Sequence, residues 1–85
     1  MKSVTIYTKP GCPYCVRALT KLADKGVEIT DIPAAFDPDK KAEMLERSGG
    51  ARTYPQIFIG DTHVGGCDDL MLLDRSGKLD ALLED

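Results

Sequence analysis

The chain carries a Cys-x-x-Cys motif, Cys12 to Cys15, between a strand-like and a helix-like segment, and this placement constrains the fold more than any other feature. Residues 4–8 alternate in β-branched and aromatic side chains, a pattern typical of a strand. Residues 9–11, Lys-Pro-Gly, are typical of a turn. Beyond them, apolar side chains recur at helical spacing, and Pro13 suits the first turn of a helix. The sequence therefore predicts a strand, a turn and a helix that starts at the motif.

The rest of the chain continues an α/β pattern. Further regular elements are predicted as follows: a strand at 27–32, a helix from an Asp37 cap to about residue 47, a hairpin at 56–59 and 63–64, and a last helical segment from an Asp68 cap, interrupted at Gly77. A right-handed crossover helix places the first two strands parallel. We expect one α/β domain over residues 1–85, with helices flanking a four-stranded mixed sheet in the order β-α-β-α-β-β-α.

Composition and charge exclude several classes of function. The 85 residues, with a net charge of -3, suit one soluble domain. Eleven Lys and Arg against fourteen Asp and Glu leave no positive surplus for a phosphate backbone. The longest apolar run, residues 70–73, is far shorter than the roughly 20 residues of a membrane span, and the first residues alternate like a strand instead of forming a signal peptide. We therefore expect no nucleic-acid partner, no membrane partner and a cytoplasmic location.

The cysteine count points to redox chemistry. Three cysteines do not fit a scaffold of paired disulfides, and they favour a reducing compartment. One Cys-x-x-Cys pair, a distant Cys67 and the single His63 are too few ligands for a structural zinc site, so no metal is expected. His63 is expected to be a half-exposed strand residue. The motif itself is then the main candidate for chemistry.

The two motif cysteines are predicted to have different roles. Cys12 is expected at an exposed helix N-terminus, where unpaired amides and the helix dipole favour a thiolate, and Lys9 adds a cation nearby. Cys15 lies one turn further and faces the core, within reach of a mixed disulfide on Cys12. The alternative, two small apolar side chains filling a core, is weaker for a pair at this spacing. We predict Cys12 as the nucleophile and Cys15 as the resolving thiol.

Three segments resemble the signature segments of dithiol glutaredoxins, especially the small bacterial type: residues 7–15, 53–55 and 65–70. The match covers essentially the whole chain in order and spacing. The resemblance implies a thioredoxin-like fold and a glutathione-dependent thiol–disulfide oxidoreductase acting on protein disulfides and glutathione-mixed disulfides. It implies no bound cofactor, glutathione as co-substrate, a redox disulfide between Cys12 and Cys15, and disulfide-bonded or glutathionylated proteins as partners. We expect a monomer.

The resemblance also implies a glutathione groove beside Cys12. Its residues are Lys9, Tyr14, Arg52, Thr53, Tyr54, Pro55, Gly66, Cys67 and Asp68. Lys9 and Arg52 suit the glycine carboxylate, whereas Asp68 and the helix start beside it suit the γ-glutamyl end. Pro55 is expected to be cis and to present the backbone of Tyr54 to glutathione.

Two positions in the groove need comment. Tyr54 departs from the valine usual in the family, and its ring either narrows the groove or adds stacking area. Cys67 matches the family pattern but has no expected thiol partner, so we interpret it as a structural side chain.

Two other functions remain open from the sequence. In an iron–sulfur carrier, Cys12 and glutathione thiols from two protomers would hold a cluster, but Pro13 and Cys15 disfavour it because cluster-binding relatives typically have Gly-Phe-Ser after the first cysteine. The other is a redoxin reduced by thioredoxin reductase. Such redoxins lack the Gly-Gly-Cys-Asp-Asp segment at residues 65–69.

Overall fold

The structure is a computed structural model that describes all 85 residues. The elements, in order, are β1 (Val4–Thr8), α1 (Pro13–Asp24), β2 (Ile29–Pro33), α2 (Pro38–Ser48), β3 (Gln56–Ile59), β4 (Thr62–Gly65), α3 (Cys67–Arg75) and α4 (Lys78–Leu83). The strands form one sheet in the order β2-β1-β3-β4. β1 is parallel to β2 and antiparallel to β3, which is antiparallel to β4. This confirms the predicted α/β class and its four-stranded mixed sheet.

The bounds of two strands differ from prediction, whereas the predicted interruption at Gly77 is present. β4 spans Thr62–Gly65 instead of residues 63–64. β2 begins at Ile29 instead of residue 27, because Ile29 is the residue that pairs with Val4 at the start of β1. The last helical segment is two helices, α3 and α4, separated at Gly77. Gly77 has φ 76°, in the left-handed region that glycine adopts without a steric penalty.

The two faces of the sheet carry apolar clusters of different size. The larger cluster joins β1 and β3 to α1, α3 and α4 and consists of Val4, Ile6, Ala18, Leu22, Ile57, Ile59, Cys67, Leu70, Leu79 and Leu83. The smaller one consists of Tyr7, Ala34, Met44 and Phe58, the third of these from α2. Successive strand residues point to opposite faces, so Ile6 joins the first cluster and Tyr7 the second.

The topology brings two helix N-termini to one edge of the sheet. α1 follows the carboxyl end of β1. β4 is antiparallel to β3, and β3 is antiparallel to β1, so β4 ends at the same edge as β1 and α3 begins there. Helix N-termini favour anions, so this edge is the natural place for the chemistry. No helix has the length and apolar character needed to span a membrane.

Candidate functional site: the dithiol and the adjacent cleft

Cys12 is the N-cap of α1. Its backbone is extended, with φ -107° and ψ 103°, and its Sγ accepts a hydrogen bond from the Cys15 amide at 3.2 Å. Pro13 follows at the first helical position, where its missing N–H costs nothing. The first turn of α1 holds no acidic side chain. The sulfur is therefore the group that meets the positive end of this helix, a position that favours an anion.

Both motif thiols are buried. Cys15 is 3% exposed, which confirms its predicted inward orientation. Cys12 is 5% exposed, so the expectation that it lies at an exposed helix start is wrong. The loop after α2 covers it, and the Tyr54 carbonyl oxygen lies 4.0 Å from the Cys12 Sγ. The backbone of Tyr54 therefore lies directly beside the Cys12 sulfur.

Cys15 holds its proton more firmly than an ordinary thiol. Burial and the hydrogen bond with the Cys12 side chain raise the pKa of Cys15 to about 11, with the nearby Asp31 carboxylate adding to the shift. All three cysteines are free, so this geometry is that of the reduced dithiol. At neutral pH, Cys15 is therefore a neutral thiol beside Cys12.

A cleft of about 400 Å³ lies between residues 53–55 and the start of α3. Seven of the nine predicted groove residues line it together: Tyr14, Thr53, Tyr54, Pro55, Gly66, Cys67 and Asp68. Lys9 instead lines a second cavity of about 430 Å³ with Cys12 and Cys15, and exposed Arg52 lines neither. The Tyr54–Pro55 peptide bond is cis, as expected.

The start of α3 differs from the prediction that Asp68 caps it. The N-cap is Gly66, and its amide donates to the Asp69 Oδ2 at 2.9 Å. Gly65, with φ 113°, turns the chain so that its own Cα faces this carboxylate; a Cβ there would lie 2.3 Å from the Asp69 Oδ2. The Asp69 carboxylate is therefore occupied by its hydrogen bond to the Gly66 amide, whereas the exposed Asp68 carboxylate is available to a ligand.

Two of the cleft residues are anchored in the core. The Tyr54 ring packs against the smaller apolar cluster, and its hydroxyl is buried without a hydrogen-bond partner. Burial raises the pKa of Tyr54 and also that of the Cys67 thiol. Cys67 is 4% exposed and belongs to the larger cluster. Both side chains thus serve packing, while their backbones border the cleft.

The sequence did not indicate a role for Gln56 or Asp69, and it predicted His63 to be a half-exposed strand residue. All three line the cleft. Gln56 offered one signal, because it is the single polar residue of an otherwise apolar strand. No group of three His, Cys, Asp or Glu side chains is placed to hold a metal ion.

Comparison with known proteins identifies the family. The family model described as Glutaredoxin matches residues 4–64. The chain is 55% identical over 83 residues to Glutaredoxin from Pseudomonas aeruginosa, covering 98% of each chain. It is 51% identical over 84 residues to Glutaredoxin 3 from Escherichia coli K12, covering 99% of this chain and 100% of the relative.

Solved structures give the same result. The solution structure of glutaredoxin from Brucella melitensis has 60% identity and a TM-score of 0.81, covering 98% of this chain and 89% of that one. A crystal structure of a buckwheat glutaredoxin–glutathione complex has 36% identity and a TM-score of 0.78, covering 96% of this chain and 76% of that one. With its dithiol at the start of α1, the chain belongs to the glutaredoxin family and is a thiol–disulfide oxidoreductase.

Proposed function

We propose that this oxidoreductase uses glutathione as its co-substrate and reduces glutathione-mixed disulfides and protein disulfides through Cys12 and Cys15. The observation that carries the proposal is the position of the capped Cys12 sulfur, 4.0 Å from the Tyr54 carbonyl oxygen, at the loop that forms one wall of the cleft. The buckwheat relative, solved as a complex with glutathione, supports this choice of ligand.

The cleft suits the charges of glutathione. The Asp68 carboxylate faces the ammonium of the γ-glutamyl end, and the free amides at the start of α3 face the adjacent carboxylate. The Tyr54 backbone pairs with the peptide-like middle of glutathione as a short extended segment. Exposed Lys9 and Arg52 supply cations for the glycine carboxylate.

The chemistry divides between the two thiols. The Cys12 thiolate attacks the glutathionyl sulfur, the old S–S bond breaks, and the substrate leaves as a thiolate that takes up a proton. The thiolate of a second glutathione then attacks the Cys12 mixed disulfide, releasing oxidised glutathione and the Cys12 thiolate.

A protein disulfide follows a different second step. Attack by Cys12 leaves the protein joined to it through a mixed disulfide. Cys15 then loses its proton and attacks Cys12, forming the Cys12–Cys15 disulfide and releasing the reduced protein. Two glutathiones restore the dithiol. Because Cys15 is buried, this step depends on deprotonation of a buried thiol.

Two cysteine variants test this division. Cys15→Ser should retain reduction of a glutathionylated peptide and lose most reduction of a disulfide-bonded protein, whereas Cys12→Ser should lose both. Turnover should continue with glutathione and glutathione reductase but not with thioredoxin reductase. Substantial activity of Cys12→Ser, or equal loss of both reactions in Cys15→Ser, contradicts the assignment. Regeneration by thioredoxin reductase alone would favour the redoxin alternative.

Three expectations accompany this function. Residues 1–85 act as one domain and as a monomer, and the protein works in the cytoplasm. The odd number of cysteines, three, supports the last point, because scaffolds of paired disulfides belong to oxidising compartments.

A further inference from the structure

A buried polar side chain clamps the loop that forms one wall of the cleft. Gln56 is 3% exposed and directly follows the cis Pro55. Its Nε2 donates to both the Thr53 carbonyl oxygen and the Thr53 Oγ1, each at 3.0 Å. Both amide hydrogens are therefore used on Thr53, and the clamp spans the loop that carries Tyr54.

The other end of this amide is held from the neighbouring strand. The His63 Nε2 lies 2.7 Å from the Gln56 Oε1. Because the Gln56 nitrogen has no hydrogen left and its oxygen can only accept, the His63 Nε2 must carry a proton and donate. The His63 ring also stacks on Phe58, with centroids 4.8 Å apart and an interplanar angle of 23°. The stack holds the donor in place.

We infer that His63 and Gln56 are positioning residues for recognition of the glutathionyl group. His63 fixes the Gln56 amide, Gln56 fixes Thr53, and the fixed loop presents the Tyr54 backbone to the ligand. A loop ordered before binding loses less entropy on binding, so the network lowers KM. The Cys12 Sγ accepts a hydrogen bond from the Cys15 amide at 3.2 Å within α1, and its contact with the loop, 4.0 Å to the Tyr54 carbonyl oxygen, is longer. The network should therefore affect the reactivity of Cys12 less than it affects KM. This inference rests on the glutathione-dependent function proposed above.

Two substitutions of His63 separate the donor from the ring. His63→Phe keeps a ring that can stack on Phe58 and removes the donor, whereas His63→Gln keeps a donor at similar reach and removes the ring. Loss of one hydrogen bond should raise KM for a glutathionylated peptide about two- to tenfold in His63→Phe. His63→Gln should raise KM less, because it keeps the donor and loses only the stack. kcat and the rate of Cys12 alkylation by iodoacetamide should change less than KM in both variants.

A substitution of Gln56 tests whether the two residues act together. Gln56→Met should raise KM as well, and combining it with His63→Phe should add little, because both changes break one chain of contacts. Urea unfolding of each variant checks that it is folded. His63→Leu is a second donor-free variant, and it should behave as His63→Phe does.

The outcomes are distinguishable. The positioning role is wrong if KM in His63→Phe and His63→Leu equals that of the parent. It is also wrong if His63→Gln raises KM as much as they do, because His63 would then act only by packing against Phe58. Full additivity of the two single effects would also overturn it. If the parent itself does not turn over the glutathionylated peptide with glutathione, the glutathione-dependent function is wrong, and that result is independent of the variants.

Discussion

The N-termini of α1 and α3 lie at the same edge of the sheet but are built differently. α1 is capped by the Cys12 sulfur, and its first turn holds no acidic side chain. α3 is capped by Gly66, which has no side chain, and its first turn holds Asp68 and Asp69. The positive end of α1 meets a reactive sulfur, whereas the start of α3 leaves free amides and the Asp68 carboxylate available to a ligand.

The difference separates chemistry from recognition. Changes that act on the Cys12 sulfur at the start of α1 should alter the reactivity of the thiols more than they alter substrate affinity. Changes at the start of α3 should alter affinity or stability and leave thiol reactivity unchanged.

Gly65→Ala should destabilise the protein most, because it disrupts the turn into α3. The residue has φ 113°, and the new Cβ would lie 2.3 Å from the Asp69 Oδ2 that accepts from Gly66. Backbone strain plus loss of this cap should lower the free energy of unfolding by about 2 to 4 kcal/mol, measured by urea denaturation.

Gly49→Ala is the matched control for Gly65→Ala. Gly49 also has a left-handed φ, 71°, but no atom lies within 4 Å of a Cβ built there. Its cost should be limited to about 1 kcal/mol of backbone strain. Equal losses in the two variants would show that Asp69 is not part of the turn.

The raised pKa of Cys15 makes the stability of the reduced protein depend on pH. The folded-state pKa of about 11 lies above the ordinary thiol value of 9.0, so this contribution is complete below pH 9 and is lost as pH rises through 11. The loss should approach about 3 kcal/mol for this nearly fully buried thiol. Urea denaturation at pH 8 to 11 under reducing conditions measures it. Cys15→Ser lacks the group, and an identical pH slope in that variant would contradict the shift.

The two helix N-termini also differ in how well the sequence predicted them. The start of α1 was predicted because Pro13 and the paired cysteines allow only one placement of the first turn. The cap of α3 was misassigned because Asp68 and Asp69 are adjacent carboxylates, and only the conformation of Gly65 selects Asp69.

Contacts between separate strands were also beyond sequence reasoning. Gln56 and His63 lie seven positions apart, and nothing in their spacing indicates a hydrogen bond between them. The late start of β2 has the same cause, because pairing between Ile29 and Val4 determines it. Local patterns predicted the elements and the dithiol, while the cleft required tertiary contacts.

Adjacent carboxylates at the start of α3 provide a pair of nearly identical substitutions. Asp69→Ala removes the acceptor of the Gly66 amide and should cost about 0.5 to 2 kcal/mol of stability. Asp68→Ala should leave stability unchanged and raise KM for a glutathionylated peptide by about two- to tenfold, because only Asp68 faces the ligand ammonium. Urea denaturation measures the stability of both variants, and steady-state kinetics measures their KM. A stability loss in Asp68→Ala would show that Asp68, and not only Asp69, stabilises the start of α3. An unchanged KM in folded Asp68→Ala would show that Asp68 does not bind the ligand.

Lys9→Gln should have the smallest effect, at the start of α1. The side chain is exposed and shares a cavity with Cys12, so its charge acts on the sulfur through solvent, where salt at 0.1 M screens beyond about 10 Å. Alkylation of Cys12 by iodoacetamide at neutral pH should slow by about two- to threefold at low salt, and the difference should shrink at high salt.

Lys78→Gln, an exposed change on α4 with the same loss of charge, should have no effect. The hydrogen bond from the Cys15 amide to the Cys12 Sγ is short-ranged and insensitive to salt, so most of the reactivity of Cys12 should survive. Equal alkylation rates for Lys9→Gln and the parent at low salt would assign the activation of Cys12 to the helix start alone.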